Sequence, residues 1–396
     1  MKNRKNTNDN QKAGLLPIPD IDIIDLESGA SGEASNVPAT PEGSAPALSV
    51  AKPGKSGKKG PLSHVNIHVV LGLVFLLFIG GIIYKILNFG VLVDLDEIFK
   101  DGPGTYEDNF DTILPLFDAE GNPQYRHYGP ESTILLLGNA PFADDRDSPD
   151  NLANMIREMT GATVYNCSVS GSYLAAGASE LDANANPWDI FNPYWLCSLG
   201  MDFPRSFDLD YQTGVAALGE DAPAEAQEVF DTLKSLDFAD VDVVVLMYDG
   251  SDYLAGHGMY NDGDATDLTQ FTGCTEATIE LLRFCAPHIR VIVLSPAYAY
   301  GLDENGNYIS SDIQRYGEDV LSTYVIKQYA SCNSRQVTFV DNLYGTINED
   351  QAKDYLTDHL HLNLEGRKKV AQRFVDALNY FSDRDPSRSA TESPAP

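Results

Sequence analysis

The sequence predicts a three-layer α/β/α domain built on a parallel β-sheet, preceded by one transmembrane helix. Three observations support this. Short apolar runs alternate with helix-like amphipathic segments from Ser132 onward. No charged residue lies between Lys59 and Lys85, and the apolar stretch inside this interval, about 20 residues, matches the thickness of a bilayer. The residues before it are rich in Pro, Gly, Ser and Asn, a composition typical of disordered chain.

The transmembrane helix is predicted over residues 65–87. Four lysines lie just before it: Lys52, Lys55, Lys58 and Lys59. The first charged residues after Lys85 are Asp94 and Asp96. Because basic residues favour the cytoplasmic side, we expect a cytoplasmic N-terminus and an extracytoplasmic C-terminal domain. The long tail before the helix favours an uncleaved signal anchor over a cleaved signal peptide, so the sequence predicts a single-pass protein of the cell membrane.

The remaining segments follow from composition. Residues 1–64 are expected to form a disordered cytoplasmic tail, in which the apolar island 15–26 either docks on a cytoplasmic partner or is residual hydrophobicity. We expect residues 88–129 to be a juxtamembrane linker and residues 130–382 to form the globular domain. Residues 383–396 are expected to be a disordered C-terminus.

The acidic charge is concentrated in the C-terminal part of the chain. The whole sequence holds 27 basic and 58 acidic residues, a formal net charge of -31. Residues 94–396 hold 18 of the basic and 51 of the acidic residues, a net charge of -33. Because so acidic a domain repels phosphate backbones, we exclude nucleic acid as a partner.

Five apolar runs are predicted to be buried strands, since they are short, rich in β-branched residues and bounded by turn residues. They cover residues 133–137, 162–165, 241–247, 290–294 and 336–340. Helical periodicity is found in residues 150–159, 222–236, 275–284 and 364–381. This alternation predicts a parallel sheet with helices on both faces, and ligands in such sheets bind beyond the carboxyl ends of the strands.

Residues 181–221 interrupt the alternation and are rich in aromatic side chains, among them Trp188, Trp195 and Tyr211. Such an insertion forms either a wall of a binding cleft, where aromatic faces suit sugar rings, or a lid packed on the sheet edge. Segments 118–122 and 303–307 have oxygen ligands without the spacing of a calcium loop, so we predict turns there.

The five cysteines all lie in the predicted domain: Cys167, Cys197, Cys274, Cys285 and Cys332. An odd number excludes complete pairing, and no metal-binding spacing is present. We therefore expect mostly buried free thiols, with one disulfide left open. The sequence implies no metal and no cofactor.

Asp358 and His361 are candidate catalytic residues. They bound the segment Asp358-His359-Leu360-His361, which follows the fifth strand and precedes the last helix. A carboxylate three residues before a histidine can hold one imidazole nitrogen and leave the other free as a base. Without companions, the same pattern is also typical of a solvated loop.

Those companions occur at the ends of the first three predicted strands. They are Gly138-Asn139-Ala140, Asn166 to Gly171, and Asp249-Gly250-Ser251-Asp252. Together with the Asp358 segment, in this order and spacing, they resemble the four blocks of the SGNH (GDSL-type) hydrolases over roughly residues 130–381. The resemblance implies a flavodoxin-like α/β/α sandwich and serine ester hydrolysis.

In that family a serine after the first strand attacks the ester, and a histidine oriented by an aspartate takes its proton. The serine amide, a glycine of the second block and an asparagine of the third hold the oxyanion. The resemblance implies these roles for Gly171 (oxyanion), Asp358 (orienting acid) and His361 (base). Three positions depart from this pattern. Ala140 occupies the position of the nucleophilic serine, Asn139 the position of the acid before it, and Ser251 the position of the third-block asparagine.

An alanine methyl group cannot attack an ester, which leaves three interpretations. In the first, another group attacks the ester: Ser251, Ser168, Ser170 or a water activated by His361, with Asp249 and Asp252 nearby. Alternatively, the cleft binds an acylated or plain glycan without cleaving it. In the third interpretation the fold is a scaffold for a membrane complex.

The sequence therefore predicts a membrane-anchored, extracytoplasmic SGNH hydrolase-like protein that acts on or binds acylated cell-envelope glycans. The alternative is an inactive pseudo-hydrolase that binds glycans or serves as a scaffold subunit. The candidate catalytic residues are His361, Asp358 and Ser251. The candidate binding residues are Gly138, Asn139, Ala140, Asn166, Gly171, Asp249 and Asp252.

Overall fold

A computed structural model describes residues 109–386. The predicted cytoplasmic tail (1–64), the predicted transmembrane helix (65–87), the first half of the predicted linker and most of the predicted C-terminal end lie outside these residues. Of the helices between residues 109 and 386, none is long and apolar enough to cross a bilayer.

The described part of the chain alternates strands with helices. Its strands are β1 (Leu116–Phe117), β2 (Pro123–Gln124), β3 (Thr133–Gly138), β4 (Thr163–Asn166), β5 (Val243–Met247), β6 (Arg290–Leu294), β7 (Gly301–Leu302), β8 (Tyr308–Ile309) and β9 (Thr338–Val340). Its α-helices are α1 (Ala140–Ala143), α2 (Leu152–Thr160), α3 (Pro193–Met201), α4 (Asp208–Leu218), α5 (Ala226–Ser235), α6 (Ser251–Ala255), α7 (Phe271–Cys285), α8 (Leu321–Ser334), α9 (Ala352–Tyr355) and α10 (Leu364–Leu378).

The central sheet consists of five parallel strands in the spatial order β4-β3-β5-β6-β9. Numbered along the chain, this order is 2-1-3-4-5, that of a flavodoxin-like doubly wound sheet. The five strands fall on the five predicted apolar runs, so the prediction of a parallel-sheet α/β fold is confirmed. The direction of winding reverses beside β3, and a ligand crevice forms at such a reversal, beyond the carboxyl ends of the strands.

Helices shield the sheet in two groups. Every residue of β5, β6 and β9 is buried, which requires cover on both faces because successive side chains point to opposite sides. Helix α2 packs against α10, whereas α7 packs against both α3 and α8. The core therefore lies between the sheet and each of these groups.

Helix boundaries differ from the sequence prediction where a local hydrogen bond decides the start or the end. Helix α2 was predicted to begin at residue 150 but begins at Leu152, because the Asn151 side chain accepts from the amides of Ala153 and Asn154. Helix α10 ends at Leu378 rather than residue 381, because the Asn379 side chain both donates to and accepts from the Tyr128 backbone. Helix α7 begins at Phe271, four residues before the predicted start, where its buried first turn extends the core.

The aromatic insertion, residues 181–221, packs mostly into the core. Phe191, Phe207 and Tyr211 are buried, and the Trp195 ring lies 5.1 Å from that of Phe207. Trp188 differs, because it is only half-buried and its ring lies 3.5 Å from the position that a Cβ atom would take on Gly171. The insertion thus combines a packed lid with one aromatic side chain beside the candidate site.

The other local predictions concern turns, linker and cysteines. Segments 118–122 and 303–307 are the turns of the hairpins β1–β2 and β7–β8, as predicted. The second half of the predicted linker belongs to the domain, since Thr112 pairs with Phe339 of the edge strand β9. All five cysteines are free, and all except the half-buried Cys285 are buried.

Gly138, the last residue of β3, is required by a close approach between strands. A Cβ atom there would lie 1.9 Å from the carbonyl oxygen of Met247 in β5. We therefore expect Gly138→Ala to lower the free energy of unfolding by about 3 kcal/mol or more, since the clash is with backbone inside the sheet. Urea unfolding measures this change. The control Gly263→Ala meets its nearest atom at 3.4 Å and should leave stability within about 0.5 kcal/mol; an equally small effect at Gly138 would contradict the strand spacing.

Candidate active site

Asp358 and His361 form a hydrogen-bonded pair on the loop before α10. The imidazole Nδ1 of His361 lies 2.8 Å from Asp358 Oδ2. Asp358 Oδ1 accepts from the amides of Leu360 and His361, each at 2.8 Å. The loop therefore fixes the carboxylate, and the carboxylate fixes the imidazole. The His361 side chain is 39% exposed, and its Nε2 has no hydrogen-bond partner within the described residues.

The charges around this pair favour an imidazole that binds a proton readily. Partial burial by itself lowers the pKa of His361, but the hydrogen bond to Asp358 and the negative charges of Asp144 and Asp249 raise it above its ordinary value. Burial also acts to raise the pKa of Asp358, but the hydrogen bonds from His361 and Leu360 outweigh this and lower it to about 2. Asp358 is thus ionised at neutral pH and stabilises a protonated His361.

Asn139 links the ends of the first three sheet strands. Its Nδ2 donates to Asp249 Oδ1 at 2.8 Å and to the Ser172 carbonyl at 3.0 Å, and its Oδ1 accepts from the Asp249 amide at 2.9 Å. An aspartate at 139 would place a second carboxylate against Asp249, which is almost fully buried. The uncharged amide at 139 is therefore matched by an acid at 249.

Ser251 is in the site, but its hydroxyl is already engaged. Its Oγ donates to Asp249 Oδ1 at 2.5 Å and accepts from Asn139 Nδ2 at 3.1 Å. Burial raises the pKa of Asp249, although the bonds from Ser251 and Asn139 oppose this. The Ser251 proton is thus held by a buried carboxylate rather than by His361.

The loop after β4 lies against the start of α1. The Val169 amide donates to the Gly138 carbonyl at 2.9 Å, which ties the loop that carries Gly171 to the end of β3, two residues before Ala140, the first residue of α1. Gly171 has a φ of +76°, a left-handed conformation that favours glycine. Within residues 109–386 the amides of Ala140 and Gly171 donate to no other group, so both are free to hold an oxyanion. Ala140 itself is 4% exposed.

The other sequence-predicted residues support this loop. Asn166 donates from Nδ2 to the Phe142 carbonyl at 2.8 Å. Ser168 is fully buried and its hydroxyl has no partner in the described chain, whereas Ser170 is exposed and its amide donates to Glu225 at 2.7 Å. Neither serine bonds to His361. A binding role for Asn166 stays a prediction.

Asp252 holds the same loop from the other side. Its carboxylate is completely buried and accepts from the amides of Leu174 and Ala175 and from His257 Nδ1, each at 2.9 Å. The Tyr173 ring lies 4.5 Å from the His257 ring. The structure thus contains a second aspartate–histidine pair, which positions residues 173–175. A direct role of Asp252 in ligand binding stays a prediction.

Asp144 is a site residue that the sequence analysis missed. It lies at the end of α1, four residues after Ala140, and is only half-buried. Its negative charge raises the pKa of His361, and burial raises the pKa of Asp144 itself. The spacing of four residues is a helical signal, but a helix of one turn after a strand has too little periodicity to be predicted. Residues 109–386 contain no cluster of three side chains able to hold a metal ion.

Comparison with known proteins gives remote structural similarity. No family model and no curated protein sequence matches the chain. A carbohydrate acetylesterase from Sinorhizobium meliloti is 13% identical, with a TM-score of 0.38, over 63% of this chain and 99% of that one. The aryl esterase of M. smegmatis is 14% identical, with a TM-score of 0.38, over 63% and 99%. A proposed SGNH hydrolase from Slackia heliotrinireducens is 13% identical, with a TM-score of 0.35, over 62% and 98%. At these values no activity carries over to this chain.

A reaction that uses neutral His361 as a base should become faster as the pH rises through the raised pKa of that histidine. Asp144→Asn removes one of the negative charges that raise this pKa, so we expect the acidic limb of the pH–rate profile to move to lower pH. Profiles of kcat/KM for an acetyl ester measure the shift. Asp147→Asn, at an exposed position three residues further on, should leave the limb in place. A limb that does not move in Asp144→Asn would show that another group controls the rate.

Proposed function

We propose that this chain is a membrane-anchored, extracytoplasmic SGNH hydrolase-like protein that removes acyl groups from cell-envelope glycans, with water in place of the serine nucleophile. The observation that carries this proposal is the Asp358–His361 pair, with its 2.8 Å hydrogen bond and open Nε2. A histidine in this arrangement is a general base, and the amides of Ala140 and Gly171 are candidate oxyanion donors.

Water is the nucleophile that fits the site best. Ala140 has no hydroxyl, Ser168 is fully buried, and Ser170 lies on the exposed side of its loop. The Ser251 hydroxyl donates to Asp249. A water molecule at the open Nε2 of His361 needs none of these side chains.

The reaction then balances with one water and no covalent enzyme intermediate. His361 Nε2 takes a proton from water while the water oxygen bonds to the acyl carbon, and the carbonyl oxygen becomes an oxyanion held by the two amides. The tetrahedral intermediate collapses, the bond to the sugar oxygen breaks, and that oxygen takes the proton back from His361. Asp358 stabilises the imidazolium between the two steps.

The proposed substrate class follows from location and charge. A domain anchored by residues 65–87 would lie at the outer side of the membrane, where acylated glycans of the envelope are within reach. Its predicted net charge of -33 over residues 94–396 disfavours anionic polymers and favours uncharged ones. The partner we propose is an acylated, otherwise neutral glycan; a cytoplasmic partner of the tail remains a separate proposal.

A binding role without catalysis is the second candidate. It is favoured by the methyl group of Ala140 at the nucleophile position and by the Ser251 hydroxyl being held by Asp249. In that case the cleft would bind the acylated sugar, and the aspartate–histidine pair would contribute a hydrogen-bond donor.

Acetate release from acetylated xylo-oligosaccharides by the full-length chain in detergent distinguishes the two. Release that disappears in His361→Ala supports hydrolysis. Binding of the same oligosaccharides by calorimetry, without acetate release in either protein, supports the binding role. If the chain neither releases acetate from these oligosaccharides nor binds them, both candidates are contradicted.

A further inference from the structure

The β7–β8 hairpin is joined directly to the loop that carries the candidate base. The amide of Tyr300, the residue before β7, donates to the carbonyl of His359 at 2.9 Å. The turn between the strands is closed by Asp303, whose carboxylate accepts from the amides of Asn305 and Asn307 at 2.8 and 2.7 Å. The hairpin is therefore a fixed feature at the edge of the candidate site.

The hairpin presents an aromatic surface. The Tyr300 and Tyr308 rings lie 4.8 Å apart, and the Tyr300 ring lies 6.2 Å from the His359 ring. Tyr308 is 50% exposed although Tyr300 packs against it. The exposed part of the Tyr308 ring, beside the Tyr300 ring and the loop of the candidate base, is a surface on which the apolar face of a ligand can pack.

One carboxylate contacts the rim of the Tyr308 ring, and a second lies beside the first. The Tyr308 hydroxyl donates to Glu349 Oε1 and lies 2.6 Å from the Tyr298 hydroxyl. Hydrogen bonds from the Tyr308 and Ser310 side chains lower the pKa of Glu349, so it is ionised. Asp312 lies near enough to Glu349 for the second charge, together with burial, to raise the pKa of Asp312. The surface thus combines an aromatic face with hydrogen-bond acceptors.

We propose that Tyr300, Tyr308 and Glu349 form a sugar subsite that binds a pyranose ring of an uncharged glycan chain. A pyranose ring has apolar C–H groups on its faces, which match an aromatic ring, and hydroxyl donors at its rim, which match carboxylates. An anionic sugar would meet Glu349 and Asp312 and is disfavoured. This inference deepens the proposed function by placing a further ring of the glycan beside the ring whose ester faces His361.

Calorimetric binding of xylohexaose, an unesterified neutral oligosaccharide, to the full-length chain tests the subsite without any hydrolysis. We expect Tyr308→Leu and Tyr300→Leu each to weaken binding at least about tenfold, since stacking on an aromatic ring is lost. Tyr308→Phe keeps the ring and should stay within about threefold of wild type. Two tyrosine variants are used so that a folding defect in one, detected by thermal unfolding, leaves the other informative.

Tyr380→Ala is the matched control. Tyr380 is 63% exposed and follows the far end of α10, a helix of 15 residues that spans about 22 Å. Its loss should not change binding. Three results would each overturn the subsite. The wild-type protein does not bind xylohexaose, binding is unchanged in both leucine variants, or the wild-type protein binds hexagalacturonate with equal affinity. Because the ligand has no ester, an absence of esterase activity contradicts only the proposed hydrolysis and leaves this test intact.

Discussion

His361→Ala is expected to lower the rate of acetyl-ester hydrolysis by about 10²–10⁴-fold, because it removes the proposed general base. The imidazole is the group that Asp358 holds at 2.8 Å, and the described site has no second histidine at this position to replace it. The value of kcat/KM for an acetylated xylo-oligosaccharide measures the loss. Asp358→Asn should also lower the rate, by less, since the ring remains while its orienting charge is lost.

His288→Ala is a suitable control for this variant. His288 is exposed and lies beside the amino end of β6, where its Nε2 is 3.1 Å from the Phe238 carbonyl. It is thus at the opposite end of the sheet from the candidate site, and its loss should leave kcat/KM within about twofold. Hydrolysis by His361→Ala at the wild-type rate would contradict the assignment of the base.

Ala140→Ser is expected to raise ester hydrolysis by about 10²-fold or more, because it supplies a nucleophile whose proton His361 can take. Residue 140 begins α1, and the loop that carries Gly171 is bonded to Gly138, two residues before it. The new hydroxyl should also react with a fluorophosphonate, and intact-mass spectrometry should detect one adduct in this variant and none in wild type.

Peptide mapping provides the control for this experiment. The adduct should lie on residue 140, and it should persist when Ser251 is also replaced by alanine. An adduct on Ser251 in the wild-type protein would show that this serine is the nucleophile. A folded Ala140→Ser protein that forms no adduct would contradict a competent oxyanion site formed by the amides of Ala140 and Gly171.

The sheet could be predicted from the sequence because each strand is a short apolar run that tertiary contacts reinforce. Every residue of β5 and β6 is buried, so the pattern along the chain carries the whole signal. Helix α2 was less predictable at its start, since Ser148 and Asn151 are both capping residues and only the fold selects Asn151.

The site could be predicted where its residues are close in sequence. Asp358 and His361 are three residues apart and bond as expected. Asn139 and Asp249 are 110 positions apart, so the sequence alone does not show that the uncharged amide at 139 is matched by the acid at 249. The contact between Tyr308 and Glu349 spans 41 positions and was missed for the same reason.

The most direct test of the central claim is acetate release from acetylated xylo-oligosaccharides by the full-length wild-type chain, His361→Ala and Ser251→Ala. Hydrolysis by water with His361 as base predicts that wild type releases acetate, that His361→Ala releases it about 10²–10⁴-fold more slowly, and that Ser251→Ala keeps its rate within about tenfold. Either no release above buffer by the wild-type chain or complete loss in Ser251→Ala would contradict it.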